Sequence, residues 1–287
     1  MKFREFTVNS HSTRDFVDSS LEECDINDIK TYLNELNDTV GKEKGFSFML
    51  MENGGEVYKN LEGSGGYPGL MIKSLHYIGL RIAKIDHEIE FIGAFHMQAI
   101  IKKLYEMDIG SCWITLLGVT PEKKRELIND QLGTIQYLLA FGKAQQKPKK
   151  NKAVINRTSN YDQDPYGITT IETDEERLSV SDIVYLYEWG NSAPISEMKS
   201  RSVLDLLYYV RNSPSYQNTQ PCRLILKDGY AELAVINPEH EGNYTDAGIM
   251  MYMLQGLASE LGFPAKWHFV NDESGNMEYR LVAHFDL

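Results

Sequence analysis

Hydrophobic residues recur with two different periods along the chain. Leu21, Ile26, Ile29, Leu33 and Leu36 fall mostly at three- or four-residue steps and predict a helix within residues 13–36. Phe46–Met51 (FSFMLM) is a short continuous apolar run of strand type. The Gly54-Gly55 pair predicts a turn, and the glycines and proline of residues 62–69 predict a loop. Residues 75–82 and 134–142 read as strands, and 89–107 as a long apolar helix. Pro121 suits the first turn of a further helix. A polar stretch, 156–181, reads as a connector. A helix-rich segment follows at 197–210, then two strands around an Asp228-Gly229 hairpin turn. An apolar helix at 247–261 and a closing strand at 279–287 complete the pattern.

The two apolar helices resemble one element used twice. Residues 94–113 align without gaps on 248–267, an offset of 248 − 94 = 154. The offset pairs Met97 with Met251, Glu106 with Glu260 and Trp113 with Trp267. A repeat this long suggests a fused dimer rather than a solenoid.

Composition narrows the class. The chain has 287 residues, enough for about two domains of roughly 150 residues. Its 29 basic and 41 acidic residues give a formal charge of −12, which argues against nucleic acid as a partner. Cys24, Cys112 and Cys222 are too few and too scattered for a disulfide framework or a zinc site. The N-terminus shows no apolar signal segment, and the longest apolar runs fall far short of the roughly 20 residues that span a bilayer. A cytoplasmic protein with no membrane partner is expected. The N-x-S/T matches at Asn37, Asn156 and Asn243 are then chance.

Familiar catalytic patterns are absent: GxSxG, HExxH, an EF-hand loop, and the glycine spacing of a dinucleotide or P-loop. His87 and His96 are nine apart, unlike a helical metal pair, and no metal site is expected. His96 reads as a packed core histidine. Four lysines within 147–152 form a basic cluster that could meet an anion. Two segments stand out. Ser10–Phe16 (SHSTRDF) offers hydroxyls and the Arg14 fork to an anion. Residues 212–226 (NSPSYQNTQPCRLIL) place two prolines and many amides and hydroxyls directly before a strand, a rigid polar entry suited to a planar, hydrogen-bonding ligand.

These segments resemble the FMN-dependent nitroreductases. Members open with R-x-S-x-[RK]-x-F and carry P-S-x-x-N-x-Q-P-W ahead of a strand. Later come a G-x-x-M-Q…G-S-C-W helix and strand, and a basic tail. This chain shows Ser12, Arg14 and Phe16; Pro214, Ser215, Asn218, Gln220 and Pro221; Met97, Gln98 and Gly110-Ser111-Cys112-Trp113; and Phe141-Gly142 before the lysines. The P-S-x-x-N element stands in the second half, about 200 residues after the opening, where ordinary members have the two within a few dozen residues. The resemblance therefore implies an α+β nitroreductase-like fold of mostly antiparallel sheets flanked by helices. Two related halves, 1–153 and a shortened 183–287 joined by a connector at 154–182, would form an intramolecular pseudo-dimer that needs no second chain. It implies one FMN site. His11, Ser12, Arg14, Lys149 and Lys150 would hold the phosphate. Pro214, Ser215, Tyr216, Asn218 and Gln220 would line the ribityl chain or ring edge. Thr115 and Leu116 would offer backbone N–H groups to the flavin. It further implies NAD(P)H as reductant, ping-pong turnover and a small nitroaromatic or quinone acceptor, with no side chain as a fixed acid or base. Two departures, Ser10 in place of an arginine and Cys222 in place of a tryptophan, leave a flavin-storage or non-catalytic relative as the alternative.

Overall fold

A computed structural model describes residues 2–66, 69–84, 86–129, 133–145, 177–240, 242–272 and 274–287. The first set of elements is α1 (Phe3–Asn9), α2 (Glu23–Leu36), α3 (Lys42–Lys44), β1 (Phe46–Met51), α4 (Gly54–Leu61), β2 (His76–Ile82), α5 (His87–Glu106), β3 (Gly110–Thr115), α6 (Pro121–Ile128) and β4 (Thr134–Gly142). The second is α7 (Val180–Ile183), β5 (Val184–Leu186), α8 (Ile195–Ser200), α9 (Leu204–Val210), β6 (Cys222–Leu226), β7 (Tyr230–Ile236), α10 (Asn243–Glu260), β8 (Trp267–Phe269) and β9 (Tyr279–Asp286). Among the described residues the strands form two sheets, β1-β2-β4-β3 and β5-β6-β7-β9-β8. Every ladder is antiparallel except β5 on β6.

The order β1-β2-β4-β3 recurs as β6-β7-β9-β8, and each long helix lies between the second and third strands of its set. The offset found in the helices extends to β2 and β7, since 230 − 76 = 154 and 236 − 82 = 154. Helices α5 and α10 pack against each other more extensively than any other helix pair. Gly248 lies at their closest approach. A Cβ there would stand 2.0 Å from the Phe91 carbonyl oxygen and 2.9 Å from the Ala94 Cβ. Ala94 and Gly248 are the residues the offset pairs, so the helices cross where their small residues face each other. One turn or two further on, Gly256 leaves room for the Phe3 ring and docks α1 onto α10. Each face buries aliphatic and methionine side chains, among them Met97, Ile100, Leu104, Met251, Leu254 and Leu257, and α10 is buried nearly all round its first four turns.

The outer edge of each first strand is closed in its own way. On β1, the Asn37 side chain accepts from Phe48 N at 2.7 Å and donates to Phe48 O at 2.9 Å. This amide mimics one ladder step and blunts an otherwise apolar edge. On β6, strand β5 takes that place.

Most predicted elements are present, and three differ. Residues 13–20 are extended rather than helical, because their N–H groups are engaged elsewhere: Thr13 donates to Ser111 O and Val17 to Lys143 O. The Gly54-Gly55 pair starts helix α4 rather than a turn. Gly54 needs no side chain there because backbone of Ser74 and Leu75 lies 2.4 Å from where a Cβ would be, while Val57 and Leu61 supply the buried stripe. Helix α10 begins four residues early, its polar first turn buried and Asn243 donating to Ile236 O and Asn237 O. Most of the expected connector and the lysine cluster lie outside the described residues. No helix among the described residues is long and apolar enough to cross a membrane.

Gly248→Ala is expected to cost about 2–3 kcal/mol by overpacking the helix crossing, whereas Gly55→Ala, with nothing within 4 Å, is expected to be neutral or to stabilise by up to ~1 kcal/mol. Urea denaturation of the two variants checks the contrast.

Candidate functional site

Strand β3 is the spine of the candidate site. It is the edge strand of the first sheet, and its antiparallel register with β4 decides which groups face outward. Leu116 N donates to Gln136 O at 2.8 Å, so by alternation Ser111, Trp113 and Thr115 turn their backbone groups away from β4. The opening segment lies along this outer edge. Ser12 pairs in parallel with Ser111, Thr13 N donates to Ser111 O at 2.9 Å, and Phe16 pairs with Ala144. Gly110 has no side chain because Thr13 packs where its Cβ would be, 2.6 Å from the hydroxyl. At the other end of β3, Gly66 N donates to Thr115 O at 3.0 Å. The Thr115 N–H thus faces the open edge, and the expected Leu116 N–H is spent within the sheet. Of the two backbone donors assigned from sequence, only Thr115 N–H faces outward from the sheet.

At the Ser111 end, Arg14 and Lys73 line one open cleft of about 210 Å³ with Asp15, Phe16, Val17, Asp18, Ser74, Leu75 and Gln145. Neither cation has an ion-pair partner among the described residues. The volume lies below the roughly 300–1,000 Å³ of pockets that engulf a small ligand, so the cleft suits an anionic head group whose remainder lies outside it. Ser12 and Arg14 also reach the Cys112 thiol: burial pushes its pKa up, and Arg14 and the Ser12 hydrogen bond pull it down. His11 is exposed and its Nδ1 lies 3.1 Å from Asn9 O, a local contact directed away from the cleft lining. Lys149 and Lys150 lie outside the described residues.

The 214–221 segment is a rigid knot. Gln220 N donates to Ser215 Oγ at 2.9 Å, Asn218 N to Ser215 O at 3.1 Å, and the Gln220 side chain bonds both Leu178 N and Asn218 O. Gln217, Asn218 and Gln220 all have left-handed backbone, with φ of 51°, 58° and 49°. Each such residue costs about 1–2 kcal/mol, least for Asn, so the surroundings must hold the loop. Leu178 N supplies part of the hold through Gln220, and α10 supplies another part. Tyr216 N donates to both oxygens of Asp246 at 3.1 Å. Asp246 is 4% exposed, and burial pushes its carboxyl up to about 8, only partly offset by the Tyr216 N–H. It shares a small cavity with Arg211, Ser213, Pro214, Ser215, Gln220, Pro221, Cys222 and Met250. The cavity volume is about 10 Å³, near the lower limit for one water. Burial also raises the Cys222 thiol, and Asp246 adds to it.

The two predicted segments do not share a cavity, and β3 with the turn before α10 connects them. Gly242, in left-handed backbone, lies beside Leu117 and the Tyr137 hydroxyl, which brings the start of α10 to the far end of β3. The Tyr216 ring lies near His240 of the same turn, tilted by 37° with centroids 6.4 Å apart. Trp113 Nε1–H donates to Gln98 Oε1 at 3.3 Å, and Gln98 Nε2–H reaches Met253 Sδ at 3.8 Å, tying the Met-Gln and Gly-Ser-Cys-Trp elements to α10. Arg14 and the 214–221 loop are thus placed at opposite ends of one strand edge. From Ser111 to Thr115 that edge runs about 13 Å.

Two residues of this arrangement escaped sequence reasoning. Lys73 is a single lysine in the loop before β2, directly after Leu70-Met71-Ile72, and gave no signal. Asp246 did give one: it is a carboxylate at the start of an otherwise apolar helical run, an expensive residue to bury without purpose. His96, with its pKa pushed down to about 4 by burial, is a packed histidine beside Phe46 and Phe95, as its sequence context indicated. No cluster of three metal-ligating side chains occurs among the described residues.

Residues 5–258 match the protein family described as "Putative TM nitroreductase", and the chain belongs to that family. Among solved structures, a Thermotoga maritima protein described as a nitroreductase in the same terms covers 100% of this chain and 94% of its own, at 15% identity and a TM-score of 0.58. That likeness shows the nitroreductase-like α+β fold. An FMN-dependent nitroreductase from Clostridium difficile covers 57% of this chain and 96% of its own, at 16% identity and a TM-score of 0.42. A nitroreductase with bound FMN from Bacteroides fragilis covers 55% and 98%, at 14% identity and a TM-score of 0.43. No curated protein matches the chain.

The raised Asp246 carboxyl predicts a pH dependence of stability. Its folded value, about 8, lies above the ordinary 3.8, so the folded chain holds a proton that the unfolded chain has lost between those values. Its contribution to stability is full below about pH 4 and is lost as pH rises through 8. Denaturant titrations at pH 5, 7 and 9 are expected to show wild type falling relative to Asp246→Asn across this range.

Proposed function

We propose that the protein is an FMN-dependent oxidoreductase of nitroreductase type, with FMN lying along the outer edge of β3. The observation that carries the reading is the arrangement of that edge. Two cations, Arg14 and Lys73, without an ion-pair partner among the described residues, line a cleft at its start, and the Thr115 N–H faces outward at its finish beside the turn that leads into α10. The residues fit the group. The small cleft, in which Arg14 and Lys73 stand beside the carboxylates Asp15 and Asp18, is of a size for a phosphate rather than a ring, and the roughly 13 Å of strand edge matches the span of a ribityl chain. Arg14, Lys73 and Ser12 would hold the phosphate, joined by Lys149 and Lys150 as the resemblance implies. Ser215, Tyr216, Asn218 and Gln220 would border the ring from the rigid 214–221 loop, and Thr115 N–H would donate to its edge.

A flavin held there would supply the redox chemistry, with NAD(P)H as hydride donor and a nitroaromatic, quinone or similar compound as acceptor in ping-pong turnover. This chain's residues would neutralise the phosphate, orient the ring and, through the backbone donor at Thr115, favour electron density at the ring edge.

We further propose that the chain is an internally duplicated pair with one site, so that no second copy is needed. The repeated strand order and the offset of 154 shared by the two long helices and by β2 and β7 support the duplication. The offset places Phe269 where the first copy has Thr115, and Ile92 where the second has Asp246. Phe269 packs on Phe91 with Lys44 above its ring, so the second copy presents an aromatic ring where the first has Thr115. The three cysteines are unpaired, in keeping with the proposed cytoplasmic setting.

A non-catalytic or flavin-storage role is the second reading. The observation that favours it is that Leu116 N–H and the Ser215 and Gln220 side chains are already bonded within the protein.

Purified protein reconstituted with FMN is expected to bind one flavin per chain and to bleach on addition of NAD(P)H under anaerobic conditions. Bound flavin that resists NAD(P)H would establish storage instead, and failure to bind would end both. Arg14→Ala and Lys73→Ala are each expected to weaken FMN by about 10- to 100-fold, the worth of one charge-assisted contact, in a fluorescence-quenching titration, with riboflavin binding unchanged.

A further inference from the structure

Asp246 is buried at the N-terminal turn of α10, its two oxygens share a single backbone donor, and that donor belongs to the one loop among the described residues in which three side-chain-bearing residues within four positions take left-handed backbone. No side-chain cap or ion pair explains why a carboxyl is placed there. Replacing it in the other copy is Ile92, which the offset aligns with it, and no left-handed knot precedes β1.

We infer that Asp246 is a positioning residue, a latch that holds the 214–221 loop in its ligand-bordering shape while the carboxyl is neutral and lets it loosen when the carboxyl ionises. The neutral acid needs only the Tyr216 N–H on its carbonyl oxygen, and the adjoining void is large enough for at most about one water to serve its hydroxyl. An ionised carboxylate at the same place is a buried charge with one neutral donor, and opening the loop to solvent relieves it. The charged and titratable groups around it are Arg211 at the end of α9, Cys222 and Arg223 on β6, and His240 in the turn that precedes α10. Arg211 lines the same void but directs its guanidinium to Leu178 O and the face of Tyr208, so it does not already neutralise Asp246. Burial raises the carboxyl into the range where a change between pH 7 and 9 alters its charge.

The part of this inference that concerns the ligand rests on the proposed flavin site, whereas the latch itself does not. Amide hydrogen exchange of residues 213–221, read by mass spectrometry on the whole chain without added flavin and corrected for the intrinsic rate at each pH, tests the latch. Wild type is expected to lose at least threefold in protection from pH 7 to pH 9. Asp246→Asn, which keeps an acceptor oxygen but cannot ionise, should remain within threefold of wild type at pH 7 and show no such loss. Asp246→Ala should lose tenfold or more at pH 7. Protection in wild type that is unchanged or rises with pH, or an Asn variant that behaves like the Ala variant, overturns the latch. Should the Ala variant not fold, the wild-type and Asn pH profiles decide alone. FMN titrations of the same proteins add the second half: affinity should follow loop protection, falling from pH 7 to 9 in wild type and not in Asp246→Asn. A latch confirmed by exchange without any FMN binding would refute the flavin reading alone.

Discussion

The close crossing of α5 and α10 is the contact on which the rest of the molecule depends. It requires backbone to meet backbone, and Gly248 against the Phe91 carbonyl makes that possible. Each helix then carries one support of the site. From α5, Gln98 holds the Trp113 indole and with it the middle of β3; from α10, Asp246 holds the Tyr216 amide and the loop before β6. The two supports therefore keep their relative position only as well as the helices keep theirs. A shift of a helix by even a fraction of a turn would move one side of the site against the other, and the dense packing of Met97, Ile100, Met251 and Leu254 resists it.

The edge of β3 shows how a strand edge can be used rather than hidden. Exposed edges invite unwanted pairing. Here the opening segment covers the Ser111 end and Gly66 covers the Thr115 carbonyl, leaving a short stretch between them. Antiparallel alternation, not side-chain chemistry, selects which N–H groups that stretch presents. This is why a site can be built from residues as bland as Thr115, and why Leu116, one position away, serves the sheet instead.

Much of the fold was legible in the sequence because burial imposes period. Strands β1, β2, β4, β6 and β7 and both long helices followed from apolar spacing, and the 154-residue offset found in the helices also relates β2 to β7. What escaped were segments whose backbone bonds go to distant partners. Residues 13–20 have helical spacing in part, yet Ser111 and Lys143 claim their amides. Gly54-Gly55 has turn chemistry, yet it enters a helix because Leu75 passes too close for a side chain. The motif residues Ser12, Arg14, Ser215 and Asn218 were visible as polar exceptions beside apolar runs. Lys73 was not, since a lone loop lysine looks like any other and only the fold sets it beside Arg14. Asp246 was visible only in part: the composition of α10 marks it as out of place, but nothing in one dimension says that it faces a loop thirty residues earlier.

The helix crossing also bears on how the chain is made. On a ribosome, α5 emerges while its partner is still 154 residues away. At roughly 5–20 residues per second, the apolar face that α10 will cover stays open for about 8–30 s. The first sheet needs nothing from the second for its own ladders, and Asn37 seals its outer edge with a side chain already at hand. During that interval the nascent chain can thus hold a finished sheet with one greasy helix face waiting, a state that suits chaperone shelter and exposes this protein, more than one with neighbouring partners, to misassociation when elongation is slow.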